Sequence, residues 1–247
     1  MNISSPDTQP SHQPELMIVM PVFNEEASVR KVVMEWFFEL ENWTENFVFL
    51  AIDDGSKDRT KAVLERLREQ FGPRLEIVSR ENRGHGQTCL EGYRTAIACG
   101  VPWIIQIDSD GQCDPQYFFR FWRMREKYDV IYGFRQKRDD GWRRVLASRI
   151  LWLTLRLVAG VDCVDANVPY RLMRSEVVKM FVDRIPKDFF LSNVAMSVMM
   201  RRNRALRHGR VNIHFRERYG GEPSVALGKF GNKATELIRQ LRGLPKE

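Results

Sequence analysis

Leu16-Met17-Ile18-Val19-Met20-Pro21-Val22-Phe23-Asn24-Glu25-Glu26 sets the reading of the chain. An apolar run passes through a proline into a polar turn, and Val29, Val32, Val33 and Trp36 then recur at helical spacing. That order predicts a strand buried on both faces, a turn and a helix. The unit comes back along the sequence. Phe47–Ile52 leads to Asp53-Asp54-Gly55-Ser56 and a helix over Thr60–Gln70, with Val63, Leu64 and Leu67 on one side. Leu75–Ser79 leads to a loop at Asn82–Gly86 and a helix to about Cys99, and Trp103–Ile107 leads to Asp108-Ser109-Asp110-Gly111-Gln112. Alternating strands and helices with doubly buried strands predict an α/β fold, with a mostly parallel, Rossmann-like central sheet covered on both faces. Ligands bind such sheets beyond the carboxyl ends of the strands. The four polar clusters are therefore expected to converge on one rim.

Farther on, the pattern predicts a helix near Gln116–Lys127, a strand at Val130–Phe134, and a basic stretch in which Lys137, Arg138, Arg143, Arg144 and Arg149 outweigh Asp139 and Asp140. Arg201, Arg202, Arg204, Arg207 and Arg210 read as solvated surface charges ahead of a strand at Val211–Phe215 and a turn at Gly220-Gly221. Leu227, Phe230, Ala234, Leu237, Ile238 and Leu241 then recur at helical spacing. The polar opening Met1–Pro14 reads as a disordered tail. The expected organisation is a tail over 1–14, one α/β domain over 15–220 and an amphipathic segment over 221–247.

At 247 residues, 43% hydrophobic, the chain can bury one substantial core. A net charge of +7 favours anionic partners, whether nucleic acid, lipid head groups or phosphorylated small molecules, and does not choose among them. Cys89, Cys99, Cys113 and Cys163 show no C-x-x-C spacing and no signal peptide precedes them, which predicts reduced thiols and a cytoplasmic location. No uncharged apolar run reaches the roughly 18 residues that span a bilayer.

Asp108, Asp110 and Gln112 alternate at period two, so on an extended chain their oxygen-bearing side chains point one way. Such oxygens suit Mg²⁺ or Mn²⁺, which needs only one or two protein carboxylates and keeps places for water and substrate phosphate. The competing reading is a solvated acidic turn. Asp53-Asp54-Gly55-Ser56 is suited to hydrogen-bonding a base or ribose and to capping the helix that follows. Asn82-Arg83-Gly84-His85-Gly86 lacks a full dinucleotide fingerprint, and His85 reads as a loop histidine.

Pro21 to Glu26, Asp53 to Thr60, Asn82-Arg83-Gly84 and Asp108 to Gln112 resemble, in order and spacing, the successive motifs of family 2 glycosyltransferases with the GT-A fold. Gly133-Phe134-Arg135, Arg144 followed by Ser148-Arg149, Asp165 through Tyr170-Arg171 with Arg174, and Arg218-x-Gly220-Gly221-x-x-Ser224 are similar to the dolichol-phosphate mannose synthase branch. The resemblance implies inverting, metal-dependent transfer of a hexose from a UDP- or GDP-sugar. It implies that Pro21, Phe23, Glu25, Asp53, Asn82, Gly84 and Asp108 hold the nucleotide, and that Asp108, Asp110 and Gln112 hold Mg²⁺ or Mn²⁺. Asp110, Arg135, Arg144 and Arg218 become the catalytic candidates, with Arg144 and Ser148 on the acceptor phosphate. Phe134, Phe23 and Arg59 depart from the residues usual in the family, as does Val168-Pro169-Tyr170.

A hydroxyl acceptor needs a general base. Pro186 to Asn193 offers Asp188 alone, with Asn193 where an acid is sought. A phosphate monoester, with a second pKa of about 6, is already anionic near neutral pH. The expected acceptor is therefore a polyprenyl phosphate. Leu146–Val161 presents Arg149 and Arg156 on one face amid leucines, and is expected either to lie peripherally in a membrane interface or to pack on the sheet. The C-terminal segment either does the same or joins a homodimer. The rival readings are transfer to a hydroxyl with Asp188 as base, and a nucleotide- or nucleic-acid-binding module without turnover; the leading reading involves no nucleic acid.

Overall fold

The computed structural model describes residues 13–44, 46–135, 142–189, 191–220 and 230–245, and for 142–147 and 230–234 the backbone alone. Its strands are β1 (Leu16–Val22), β2 (Phe47–Asp53), β3 (Leu75–Ser79), β4 (Trp103–Gln106), β5 (Val130–Arg135), β6 (Arg171–Arg174) and β7 (His208–Ile213). They form a seven-stranded sheet in the order β3-β2-β1-β4-β6-β5-β7. All neighbours pair in parallel except β6, which runs antiparallel to β4 and β5. Because β6 inverts between them, β5 and β7 end on the same rim as β1, β2 and β4.

The helices are α1 (Val29–Glu41), α2 (Thr60–Phe71), α3 (His85–Ala98), α4 (Phe118–Met124), α5 (Trp142–Thr154), α6 (Ser175–Phe181), α7 (Ser192–Arg202) and α8 (Phe230–Gly243). α1 buries Val29, Val32, Val33, Trp36, Phe37 and Leu40, the stripe expected of a helix lying on a sheet. α3 lies so close to β1 that a Cβ at Gly92 would meet a Val19 methyl at 2.3 Å.

Pro21 is an unusual residue for an interior strand, because it lacks a donor for the ladder. Val19 accepts from Ile107 on the β4 side and Val22 accepts from Asp54 on the β2 side. By the two-residue alternation Pro21 faces the β4 side, beyond the last paired residue, where a missing N–H breaks nothing.

Several expectations are corrected. The helix predicted over Gln116–Lys127 is a 3₁₀ turn at Pro115–Tyr117, capped by Asp114, followed by the shorter α4. β7 lies three residues upstream at its start, since it pairs with β5 from Val130↔His208 to Arg135↔Ile213 and Phe215 leaves the sheet. The helix read over Leu146–Val161 is α5 followed by a π turn at Leu155–Ala159. The second arginine cluster is only partly solvated. Arg202 donates to the Ala159 and Pro245 carbonyls, Arg207 pairs with Asp129 at 2.8 Å, and Arg201 and Arg210 lie over the Tyr132 and Phe134 rings. The apolar side of α8 is used inside the chain. Leu237, Leu241 and the following Leu244 are buried in the core, and Gln240 Nε2 donates to the Asp188 carbonyl at 2.8 Å. Those leucines therefore do not serve a membrane or a second subunit. The expected tail falls outside the described residues up to 12, as do Lys137, Arg138, Gly221, Ser224 and Leu227.

His208 opens β7 with its ring stacked on Tyr132, and burial, reinforced by the nearby Arg201 charge, pushes its pKa down to about 4. The folded protein holds this histidine neutral while the unfolded chain protonates it near 6.5. The corresponding stability is present above pH 6.5 and lost as pH falls towards 4, up to about 3 kcal/mol. In urea titrations, wild type should lose about that much more than His208→Gln between pH 7 and 4. Parallel pH profiles would rule this out.

Candidate active site

The site forms where the chain leaves β1, β2 and β4. The first two turns are tied together by a set of hydrogen bonds. Asn24 N donates to Ser56 Oγ at 2.9 Å, Glu25 N to Thr60 Oγ1 at 2.8 Å, Lys57 N to Asn24 Oδ1 at 2.8 Å and Arg59 N to Glu26 Oε2 at 2.8 Å. Asn24 adopts a positive φ of 54°, which bends the turn back over the rim. Asp53, in register with Val22, is buried and accepts from Ser56 N at 3.0 Å. Asp54, also buried, accepts from Arg83 N and Gly84 N at 2.9 Å each, as well as from Arg80. It fixes the Asn82–Gly84 loop at the start of α3.

The acidic turn differs from its expected form. Asp108 to Gln112 is not extended; it reverses at Ser109–Gly111, with Gly111 at φ 85°. Asp110 Oδ1 caps Gln112 N at 3.0 Å, so the predicted period-two alignment of Asp108, Asp110 and Gln112 does not occur. Local capping by aspartate overrides strand continuation here. The Gln112 amide instead donates to the Arg216 carbonyl at 3.4 Å.

Burial, and then the charge of the neighbouring Asp108, push the Asp110 pKa up to about 6. Burial likewise raises Glu25. Arg218 joins these two acids. Its Nη2 donates to Glu25 Oε1 at 2.6 Å and its Nη1 lies 3.2 Å from Asp110 Oδ2. Ser28 holds the other Glu25 oxygen at 2.6 Å and reaches the Ser109 carbonyl at 3.0 Å. Glu25, Asp108, Asp110 and Arg218 thus occupy one rim, beside Asp53. Among the described residues no three His, Cys, Asp or Glu side chains converge as a preformed metal site. The donor chemistry nevertheless fits a hard cation. Two adjacent carboxylates, one of them buried at a cost to its charged form, suit an ion that completes its shell with water and phosphate.

Segment 216–219, which follows β7, completes the rim. Arg216 N donates to the Gln112 carbonyl at 3.2 Å and Tyr219 N to the Asp110 carbonyl at 3.0 Å. The Tyr219 ring fills the space a side chain at Gly111 would need, with a Cβ there only 2.4 Å from the ring. Arg216 bonds Asp114 and, at 2.7 Å, Glu35. Sequence reasoning overlooked Arg216, Tyr219 and Glu35; the signal was an Arg-x-Arg-Tyr run just ahead of the paired glycines.

The remaining candidates are placed as follows. Pro21 is buried in β1 and Phe23 is half-buried at its end, while Asn82 is exposed on the loop fixed by Asp54. Arg135, at the end of β5, makes a two-pronged pair with Asp165 at 2.8 and 2.6 Å and lies over the Phe215 ring. Ser148 is half-buried on α5; Arg144 lies on the same helix, its side chain outside the described residues. Asp188 is exposed, and Asn193 is buried on α7. All four cysteines are free thiols.

The family model "Glycosyl transferase family 2" matches residues 17–184. The chain belongs to that family. This glycosyltransferase is 27% identical over 234 residues to the undecaprenyl-phosphate 4-deoxy-4-formamido-L-arabinose transferase of Edwardsiella ictaluri (strain 93-146), covering 92% of this chain and 68% of the relative. The enzyme of the same name from Serratia proteamaculans (strain 568) is 24% identical over 233 residues, covering 94% and 69%. Among solved structures, glucosyl-3-phosphoglycerate synthase from Mycobacterium tuberculosis in complex with Mn²⁺, UDP-glucose and phosphoglyceric acid superposes with a TM-score of 0.65 at 18% identity, over 94% of this chain and 81% of that one. That likeness shows the GT-A fold of this family 2 enzyme. Family membership also removes the reading of a binding module without turnover.

Proposed function

We propose that this glycosyltransferase moves a hexose, with inversion, from a UDP- or GDP-sugar to a polyprenyl phosphate at a membrane surface. The observation that carries the reading is the rim on which Glu25, Asp108, Asp110 and Arg218 meet beside Asp53. The names of the curated relatives support the acceptor.

Pro21, Phe23, Glu25, Asp53, Asn82 and Gly84 hold the nucleotide. Asp108 and Asp110, with Gln112 at the edge of the turn, would hold Mg²⁺ or Mn²⁺, which would supply positive charge to offset that growing on the leaving diphosphate. Arg218 balances Asp110 and Glu25, and its guanidinium stands where it would also pair with a donor phosphate. Arg135, steadied by Asp165, and Arg144 with Ser148 orient the acceptor phosphate. An ionised phosphate oxygen attacks the anomeric carbon, the bond from that carbon to the diphosphate breaks, and the nucleoside diphosphate leaves. No proton has to be removed. That suits a site where Asp188 is exposed and Asn193 replaces an acid.

The membrane contact is assigned to α5 and the π turn, where Ile150, Leu153 and Leu157 are exposed alongside Arg149 and Arg156. No helix of the described residues is long and apolar enough to cross a membrane. In assays with Mg²⁺, a panel of UDP- and GDP-sugars and a short polyprenyl phosphate, one donor should yield a lipid-linked sugar, and Asp188→Asn should leave that product unchanged. With acceptor embedded in vesicles, the Leu153→Glu, Leu157→Glu double variant should fall about tenfold while keeping its rate on a short soluble acceptor. The reading fails if no donor gives lipid-linked sugar, or if a sugar hydroxyl is glycosylated in an Asp188-dependent way.

A further inference from the structure

We propose that His85 is a positioning residue for Asp108, presetting the cation site before any donor arrives. Its Nε2 lies 3.1 Å from Asp108 Oδ1, across the gap between the start of α3 and the acidic turn. Expected in a loop, His85 is instead the first residue of α3, and neither the motifs nor the transfer chemistry uses it.

Three features hold the imidazole in place. Asp54 accepts from the two backbone N–H groups just ahead of it, Arg83 and Gly84, so the residue enters α3 from a fixed point. Behind it, Gly86 in the first turn of α3 lies against Ser192 of α7, close enough that a Cβ at Gly86 would meet Ser192 Oγ at 2.6 Å. Beneath it, one turn along α3, the buried Cys89 sulfur lies 3.8 Å from Nδ1 and 4.0 Å from Nε2. A sulfur so nearly equidistant from both nitrogens packs against the ring and leaves Nε2 for Asp108.

Cys89 is itself anchored from the core. Gln106 Nε2 donates to its sulfur at 3.4 Å, and the Tyr93 hydroxyl donates to Gln106 Oε1. Tyr93 and Gln106 are fully buried. A chain of contacts, Tyr93 to Gln106 to Cys89 to His85, therefore runs out from the sheet to Asp108. Metal-binding carboxylates are commonly held by such outer partners, whose removal costs about 10–100-fold in metal affinity. His85 takes one Asp108 oxygen and leaves the other for a cation. The half-exposed ring makes this an orienting contact rather than part of the packed core.

The inference rests on the reading of Asp108 and Asp110 as cation ligands, and one titration separates the two. Mn²⁺ affinity is measured in the presence of a saturating nucleoside diphosphate by the loss of the free Mn²⁺ electron paramagnetic resonance signal, with melting temperature recorded for every variant. His85→Ala should weaken Mn²⁺ at least about tenfold, with the melting temperature unchanged. His85→Gln, which keeps an N–H at similar reach, should recover most of the affinity, and Asp108→Asn should remove it. Cys89→Ala, which takes away only the support under the ring, should fall between wild type and His85→Ala. If Asp108→Asn abolishes Mn²⁺ binding while His85→Ala stays within twofold of wild type, the positioning role is overturned and the cation reading stands. If wild type takes up no Mn²⁺ at all, the cation reading itself fails.

Discussion

Asp110→Asn should cut sugar transfer at least about a thousandfold, or ~4 kcal/mol of transition-state stabilisation, while leaving a folded protein. The side chain keeps its shape, and its oxygen can still cap Gln112 N. What disappears is the negative charge, which the fold holds at a cost, as the pKa near 6 records. Removing a charge disfavoured by burial should leave the melting temperature within a few degrees of wild type. Loss of activity then reports loss of cation and diphosphate binding rather than unfolding. Initial rates at saturating donor with excess Mg²⁺ and Mn²⁺ are the measurement. A variant turning over at even a tenth of the wild-type rate would exclude Asp110 from the reaction.

Arg171→Met should produce the largest loss of stability, about 3–5 kcal/mol and on the order of 10 °C in melting temperature. Arg171 is fully buried, yet none of its hydrogen-bond partners is a carboxylate. Its guanidinium donates to the carbonyls of Val168, Ala166 and Asn193 and to Ser197 Oγ, beneath the Tyr132 ring. It therefore joins β6 to the loop that carries Asp165 and to α7. Methionine fills much of the same volume but takes the donors from the Val168 carbonyl and leaves Ala166 and Asn193 to share Ser197 Oγ in a dry interior, which is the expensive outcome for buried polar groups. Arg171→Lys should lose most of the same stability, since one ammonium cannot copy the planar fork. Chemical denaturation of both variants measures the effect, and a loss below about 1 kcal/mol would show that water replaces the missing bonds.

The first half of the fold was legible because its signals are local. β1 and β3 have the bounds expected from apolar runs, and α1 to α3 follow helical stripes that one surface satisfies. Beyond Asp110 the signals depend on the tertiary structure. β6 is four residues long with an arginine at each end, so nothing in its hydropathy suggested a strand between β4 and β5. α7 buries every residue from Ser192 to Met200, which removes the polar face that marks a surface helix. At the site, spacing identified the clusters but not their geometry. The Asp108–Gln112 alignment failed because an aspartate cap and a left-handed glycine turned the chain. In the sequence His85 reads as a loop histidine and Arg216 escapes notice, because their partners lie 23 and 102 residues away.

The return of the chain along the acidic turn bears on how this enzyme can be divided or recombined. The match to the family model ends at residue 184, yet the groups balancing Glu25 and Asp110 and closing over Gly111 arrive only at 216–219. A chimaera joined at the end of the matched region would inherit Glu25 and Asp110 from one parent and their counter-charge from the other. Donor and acceptor preference should then travel with the junction, and swaps between relatives are best placed after 220, where both sides of these pairings come from one parent.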